Sequence, residues 1–165
     1  MTAFETEQDR INQRQVIDRV IKELWKGQRM AIGTDTFAKV DWLVSDLNGQ
    51  LTCMVDVKCR HRARTELEPT GILERASKIA ECQRLEDFFK VQVFFLYRFA
   101  CGEIWVTRMS EHWNLPQRPR PARSVSRNHS TDDYLAVNLR FERHMHKILD
   151  APSPLSGLGV HSIHE

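Results

Sequence analysis

Residues 40–58 read VDWLVSDLNGQLTCMVDVK, and much of the architecture can be worked out from this one stretch. Val40, Trp42 and Val44 alternate with other residue types, and so do Leu51, Cys53, Val55 and Val57. A period of two marks strands with one apolar face. Asn48-Gly49 between them is the strongest short-range hairpin signal, so the stretch reads as two antiparallel strands. With a two-residue loop, Leu47 faces Gln50, and the numbers of every facing pair total 97. Asp41 then lies opposite Asp56, their Cβ atoms about 4.5–5.5 Å apart. Lys58 shares that face one pleat further on, while Val40, Trp42, Val44, Val55 and Val57 point the other way. Asp46 falls on the opposite face and is excluded as a partner. The reading depends on register: a four-residue loop makes the two aspartates diagonal neighbours, and a three-residue loop separates them.

Two like charges directly opposed destabilise a sheet, so something must compensate. A divalent cation is the natural candidate, because carboxylate oxygens are hard ligands that suit magnesium.

Outward from the hairpin, residues 6 to 26 read as a helix. Ile17, Val20, Ile21 and Leu24 form its stripe, Thr6 and Asp9 cap its start, and Gly27 marks its end. A second helix is expected over residues 71–87, after Pro69-Thr70, with Ile72, Ala76, Ile79 and Gln83 on one side. Residues 90–100, KVQVFFLYRFA, are too apolar for a half-exposed strand and read as a central strand buried on both faces. Cys101-Gly102 turns the chain into a further strand, 104–108. Residues 114–130 form a basic, proline-rich loop carrying Arg118, Arg120, Arg123 and Arg127. A last helix is expected from a Thr131-Asp132-Asp133 cap, with the stripe Tyr134, Val137, Phe141, Met145 and Ile148. The expected fold class is therefore α/β: a mixed central sheet of about four strands, flanked by helices, plus a C-terminal helix. Residues 1–150 make one domain and 151–165 a flexible tail.

The length of 165 residues suits a single domain of roughly 100–200 residues. With 28% charged and 41% hydrophobic residues the chain is globular in composition, which excludes wholesale disorder. There is no apolar run of about 18 residues to span a membrane and no secretory leader at the N-terminus, so a cytoplasmic protein is expected. Four cysteines without a C-x-x-C pair write neither a zinc knuckle nor a redox motif. The net charge of +2 is uninformative as a total, but basic residues crowd at Lys58–Arg64 and again at Arg118–Arg127, and such clusters can neutralise phosphates.

The order helix, strand ending in Asp, tight turn, then a strand reading apolar-Asp-apolar-Lys resembles the PD-(D/E)XK nuclease superfamily. V40-D41-W42-L43-V44 and M54-V55-D56-V57-K58 carry the resemblance, over roughly residues 6–108. It implies a helix–hairpin–helix–hairpin core and a metal-dependent enzyme that hydrolyses DNA phosphodiester bonds. It further implies that Asp41 and Asp56 hold the metal, usually magnesium with manganese able to substitute, and that the Val57 carbonyl is a further ligand. Lys58 would orient or help deprotonate the attacking water, with Arg60, Arg62 and Lys78 as nucleic-acid contacts. The family commonly places a Glu on the first helix; here Asn12 or Gln13 stands near that position, and Glu7 and Asp9 flank the stripe, with neither assigned. With little room for a separate recognition module, cutting both strands of a duplex would call for a homodimer or a partner protein.

Blander readings stand beside these. Asp41, Asp56 and Lys58 could be a solvated ion-pair cluster, contributing about 0–1 kcal/mol. His144, His146, His161 and His164 read as surface residues, the cysteines as buried apolar groups, and Phe88, Phe89, Phe94, Phe95 and Tyr97 as core. The rival function is a non-catalytic module on the same scaffold that binds nucleic acid or protein without cutting.

Overall fold

The computed structural model describes residues 6–35, 38–120 and 134–153. The chain opens on α1 (Glu7–Glu23), where Thr6 and Asp9 close a capping box. Next come strands β1 (Arg29–Gly33), β2 (Trp42–Asp46) and β3 (Leu51–Cys59). A short α2 (Arg64–Leu67) leads to β4 (Ile72–Arg75), α3 (Ser77–Phe89), β5 (Gln92–Arg98) and β6 (Ile104–Thr107). After a 3-10 turn at Met109–His112 come β7 (Arg118–Arg120), β8 (Tyr134–Leu139) and β9 (His146–Leu149). Six strands form a mixed sheet in the order β1-β2-β3-β5-β6-β9, and three form a smaller sheet, β4-β8-β7. Only β3 and β5 run parallel in the larger sheet, and they lie at its centre. The α/β class and mixed sheet are as expected, with six strands in place of about four.

One face of the large sheet packs on α1, burying Val16, Ile17 and Val20 against Trp42, Val44, Val55, Val57 and Leu96. Each such side chain contributes roughly 1.5–3 kcal/mol by leaving water. The other face meets the small sheet and α3, so that Met54, Phe95 and Tyr97 pack with Ile72, Ile79, Val137 and Leu139. Asp56 and Lys58 pair in register with Phe95 and Tyr97, which puts both charged residues on this second, roofed face.

The β2–β3 turn corrects the expected two-residue loop. Asp46 N–H donates to Gln50 O and Ser45 pairs with Leu51, leaving Leu47, Asn48 and Gly49 as a three-residue loop. Gly49, at φ 87°, takes the left-handed position such a loop requires. Asp46 holds the turn by accepting from the Asn48 and Gln50 N–H groups. Alone, this loop would set the aspartates on different faces. A bulge intervenes: Val44 pairs with Cys53, Thr52 is left over, and its hydroxyl donates to Val44 O. Beyond the bulge Trp42 faces Val55, the register first expected, for a different reason.

Other expectations are overturned as well. The C-terminal helix is absent: Tyr134–Leu139 and His146–Leu149 are strands, joined through a turn where Glu142 has φ 66°. Val137, Phe141 and Met145 fit a helical stripe, but Val137, Leu139 and Phe141 also alternate by two, and pairing with β4 and β6 decides between them. Thr131, Asp132 and Asp133 lie outside the described residues, as do Arg123, Arg127 and residues 154–165. The helix expected over 71–87 loses its first turns to β4, which pairs with the distant β8. Phe88 and Phe89 are exposed rather than core, Cys101 is exposed, and Val40 packs on the roofed face because the chain bends just before β2. Strand β1, at the sheet edge, had no counterpart in the sequence reading. Among the described residues no helix is long and apolar enough to cross a membrane.

The strand assignment of 134–139 is testable by its alternation. Val137 is buried and Leu135 is 50% exposed. Val137→Asp should cost about 3–5 kcal/mol in denaturant unfolding, and Leu135→Lys no more than about 0.5 kcal/mol.

Candidate active site

Asp41 sits at the entrance to β2, held there by Thr34, whose N–H donates to Asp41 O at 2.9 Å. Its carboxylate crosses to β3 and accepts from the Val57 N–H at 2.9 Å. Asp56, on β3, is hydrogen-bonded to Asp41, so the hairpin brings the two carboxyl groups into contact. Both are almost wholly buried, at 4% and 3% exposure, which removes the reading of a solvated face. Lys58 Nζ lies 3.2 Å from Asp56 Oδ2 and 5.8 Å from the Phe95 ring centre.

These contacts divide the protons between the groups. Burial pushes the Asp41 carboxyl up to about 7, and the neighbouring Asp56 charge adds to the rise. Burial acts on Asp56 too, but the Lys58 ammonium, the hydrogen bond with Asp41 and the Lys78 ammonium outweigh it and hold Asp56 below the usual carboxylate range. Burial would lower Lys58, yet the charges of Asp56, Glu74 and Asp41 keep it above its ordinary value. Below about pH 7 the pair therefore holds a proton, which favours Asp41, and the lysine stays an ammonium.

Glu74 was missed by the sequence reading. It projects from β4 in the small sheet, buried, and accepts from the Tyr97 hydroxyl at 2.8 Å and from Arg60 Nη2 at 3.0 Å. The sequence carries no signal for it: in Ile72-Leu73-Glu74-Arg75 the buried positions are Ile72 and Glu74 and the exposed ones Leu73 and Arg75, so burial does not follow hydrophobicity. Of the expected basic contacts, Arg60 is tied to Glu74, and Lys78 bonds Glu81 at 3.2 Å while acting on Asp56. Arg62 is not brought to the acids; it faces Glu66 at 3.4 Å on the surface. Arg118 and Arg120 lie exposed on β7.

Asn12 and Gln13 are the first-helix residues near the position where an acid was expected. Gln13 is buried on α1, and its Oε1 accepts from Trp42 Nε1 at 3.2 Å. Asn12 accepts from Gln8, Glu7 is exposed, and Asp9 serves the helix cap. Among the described residues no three His, Cys, Asp or Glu side chains gather as a metal-binding group. The donor chemistry of Asp41 and Asp56 nevertheless suits a hard cation, since below about pH 7 one buried carboxylate of the pair must otherwise keep its proton.

That proton has a consequence for stability in the absence of divalent cations. The folded value of Asp41, about 7, lies above its ordinary 3.8, so its contribution is complete below about pH 4 and is lost as pH rises to 7. Asp56, held low, contributes the opposite slope only below that window. In EDTA, Asp41→Asn should raise Tm by several degrees at pH 8 and by little at pH 4, a gain on the order of a few kcal/mol. Parallel melting curves for the two proteins across this range would contradict the shared proton.

The family model described as "Phage putative PDDEXK endonuclease" matches residues 2–123, the stretch that holds α1, the β2–β3 hairpin, α3 and β5. No curated protein matches the sequence. Among solved structures, the chain is similar to that of Archaeoglobus fulgidus Hjc, a Holliday junction resolvase from an archaeal hyperthermophile. The identity is 12% and the TM-score 0.45, over 77% of this chain and 84% of that one. By the extent of the family match, the chain belongs to this phage PDDEXK endonuclease family, and with it to the PD-(D/E)XK nucleases.

Proposed function

We propose that the protein is a magnesium-dependent deoxyribonuclease that hydrolyses phosphodiester bonds, with Asp41, Asp56 and Lys58 as its catalytic residues. One observation carries this reading: two buried carboxyl groups touch beneath a charged lysine, on the hairpin where the family keeps its acids. Asp41, Asp56 and the Val57 carbonyl would hold the cation, with manganese able to substitute. When bound, a divalent cation acidifies water and polarises the scissile phosphate.

The chain's own groups do the rest. Asp41 is oriented by the Val57 N–H and is hydrogen-bonded to Asp56. Lys58, kept as an ammonium, orients water by donating and offsets charge gathering on the phosphate oxygens. Arg60 and Lys78 are nucleic-acid contacts beside the acids, and Arg62 is an outlying one. A duplex cut on both strands takes two such sites, supplied by a second copy or by a partner protein.

A second reading keeps the scaffold without the chemistry. Gln13, bonded to Trp42 near where the family commonly has a Glu, favours a module that binds nucleic acid without cutting.

A plasmid-nicking assay separates the two. With magnesium or manganese the protein should nick DNA, and Asp56→Ala or Lys58→Ala should slow it by roughly 10²-fold or more. Magnesium should also raise Tm in the parent protein and not in Asp56→Ala, since a ligand stabilises only the state that binds it. Cleavage that persists in both variants would remove these residues from the active site. No cleavage of linear, nicked, branched or single-stranded DNA, with no magnesium effect on Tm, would establish the binding module.

A further inference from the structure

A cavity of about 460 Å³ opens where the parallel strands β3 and β5 end, on the side covered by α1. Its walls bring together Arg19 and Gln15 of α1, Arg60 and His61 just past β3, and Arg98 at the end of β5. No carboxylate is among its lining residues. The lining is basic, although Glu23 and Glu74 offset the charges of Arg19 and Arg60.

The three arginines are not equivalent. Arg19 is committed to the fold: its guanidinium pairs with Glu23 and donates to the carbonyls of Gly102 and Asp150. Arg60 is paired with Glu74. Among the described residues Arg98 has no acid partner; Nη1 reaches the neutral amide oxygen of Gln15, at 3.3 Å. His61 is exposed at the mouth. Among the described residues the cavity thus offers one guanidinium without an acid partner, with Arg19, Arg60 and His61 also among the lining residues. A guanidinium fork matches a tetrahedral oxyanion and binds it through paired hydrogen bonds.

We propose that this cavity is a phosphate-binding site, with Arg98 as its central ligand and Arg60 and His61 beside it. That the phosphate belongs to a nucleic-acid strand rests on the proposed nuclease function; the affinity for a phosphate oxyanion does not. The placement suits a strand lying across the end of the sheet. Arg60 follows Lys58 by two residues, about 6.6 Å along the chain, and its side chain reaches Glu74 next to the acid pair. A phosphate in the cavity would fix how far the strand advances past Asp41 and Asp56.

The group could be an internal phosphodiester or a terminal 5′-phosphate, and one experiment tells them apart. Fluorescence anisotropy is read in EDTA with a labelled single-stranded 12-mer, either 5′-phosphorylated or 5′-hydroxyl, against the parent protein and Arg98→Gln. Arg98→Gln should weaken binding of the phosphorylated strand about tenfold and lower the salt slope by about one. If the 5′-hydroxyl strand binds the parent as weakly as Arg98→Gln binds the phosphorylated one, the site holds a strand terminus. If Arg98→Gln weakens both strands equally, it holds an internal phosphate. Unchanged affinity for both strands would overturn the proposal. A measurement on the parent protein guards against a variant that fails to fold. Inorganic phosphate should raise Tm above that in chloride at matched ionic strength, and no rise would also overturn the site. Both readouts are free of divalent cation, so their failure leaves the nicking result standing, and a failure to nick leaves them standing.

Discussion

Two carboxyl groups taken out of water and pressed against one another are an unfavourable arrangement, and much of the polar structure serves to make it tolerable. Below about pH 7 Asp41 keeps a proton, the Val57 N–H takes one of its oxygens, and Lys58 lies against Asp56. Lys78 adds its field from α3, and Glu74 in turn supports the lysine's charge from β4. Four separate elements thus converge on one pair of acids. Such a collection has no purpose in packing alone, because apolar residues of similar volume would cost less there.

The two sheets divide the labour. The larger one supplies rigidity: β3 and β5 are inner strands, and their neighbours hold the register that puts Asp56 beside Asp41. The smaller sheet roofs the acid face and brings Glu74, buried and doubly hydrogen-bonded, over the end of the strand that bears Lys58. The helix α1 packs an apolar layer on the opposite face, where Gln13 bonds Trp42 and charged groups lie at the margins.

Local signals in the sequence were read well where the contacts that decide the structure are local. The capping box of α1, the alternation in β2 and β3, and the apolar run of β5 all depend on near neighbours, and all are found. The acid pair was reached through a two-residue turn that the structure does not have, and the expected register holds only because the bulge at Thr52 restores it. What escaped was decided at a distance. Ile72–Arg75 and Tyr134–Leu139 are strands because they pair with each other across more than sixty residues, and a helical stripe survives in both by coincidence of spacing. Glu74 was lost with its strand. Arg98 gave no sequence signal, since nothing near it in the chain shows that α1 and the end of β3 close a cavity around it.

The turn between β2 and β3 carries two irregularities that cancel. The three-residue loop displaces the pairing by one, and the bulge at Thr52 displaces it back. Either change alone would send Asp56 and Lys58 together into the apolar layer beneath α1 and bring Val55 and Val57 to the acid face, because a slip of one residue inverts a strand. The hairpin is therefore intolerant of single insertions and deletions: its length can drift only in compensated steps. Relatives that differ in turn length are expected to differ in the bulge as well, and a residue count from Asp41 to Asp56 is a poorer guide to a shared site than the parity of that count after bulges are subtracted.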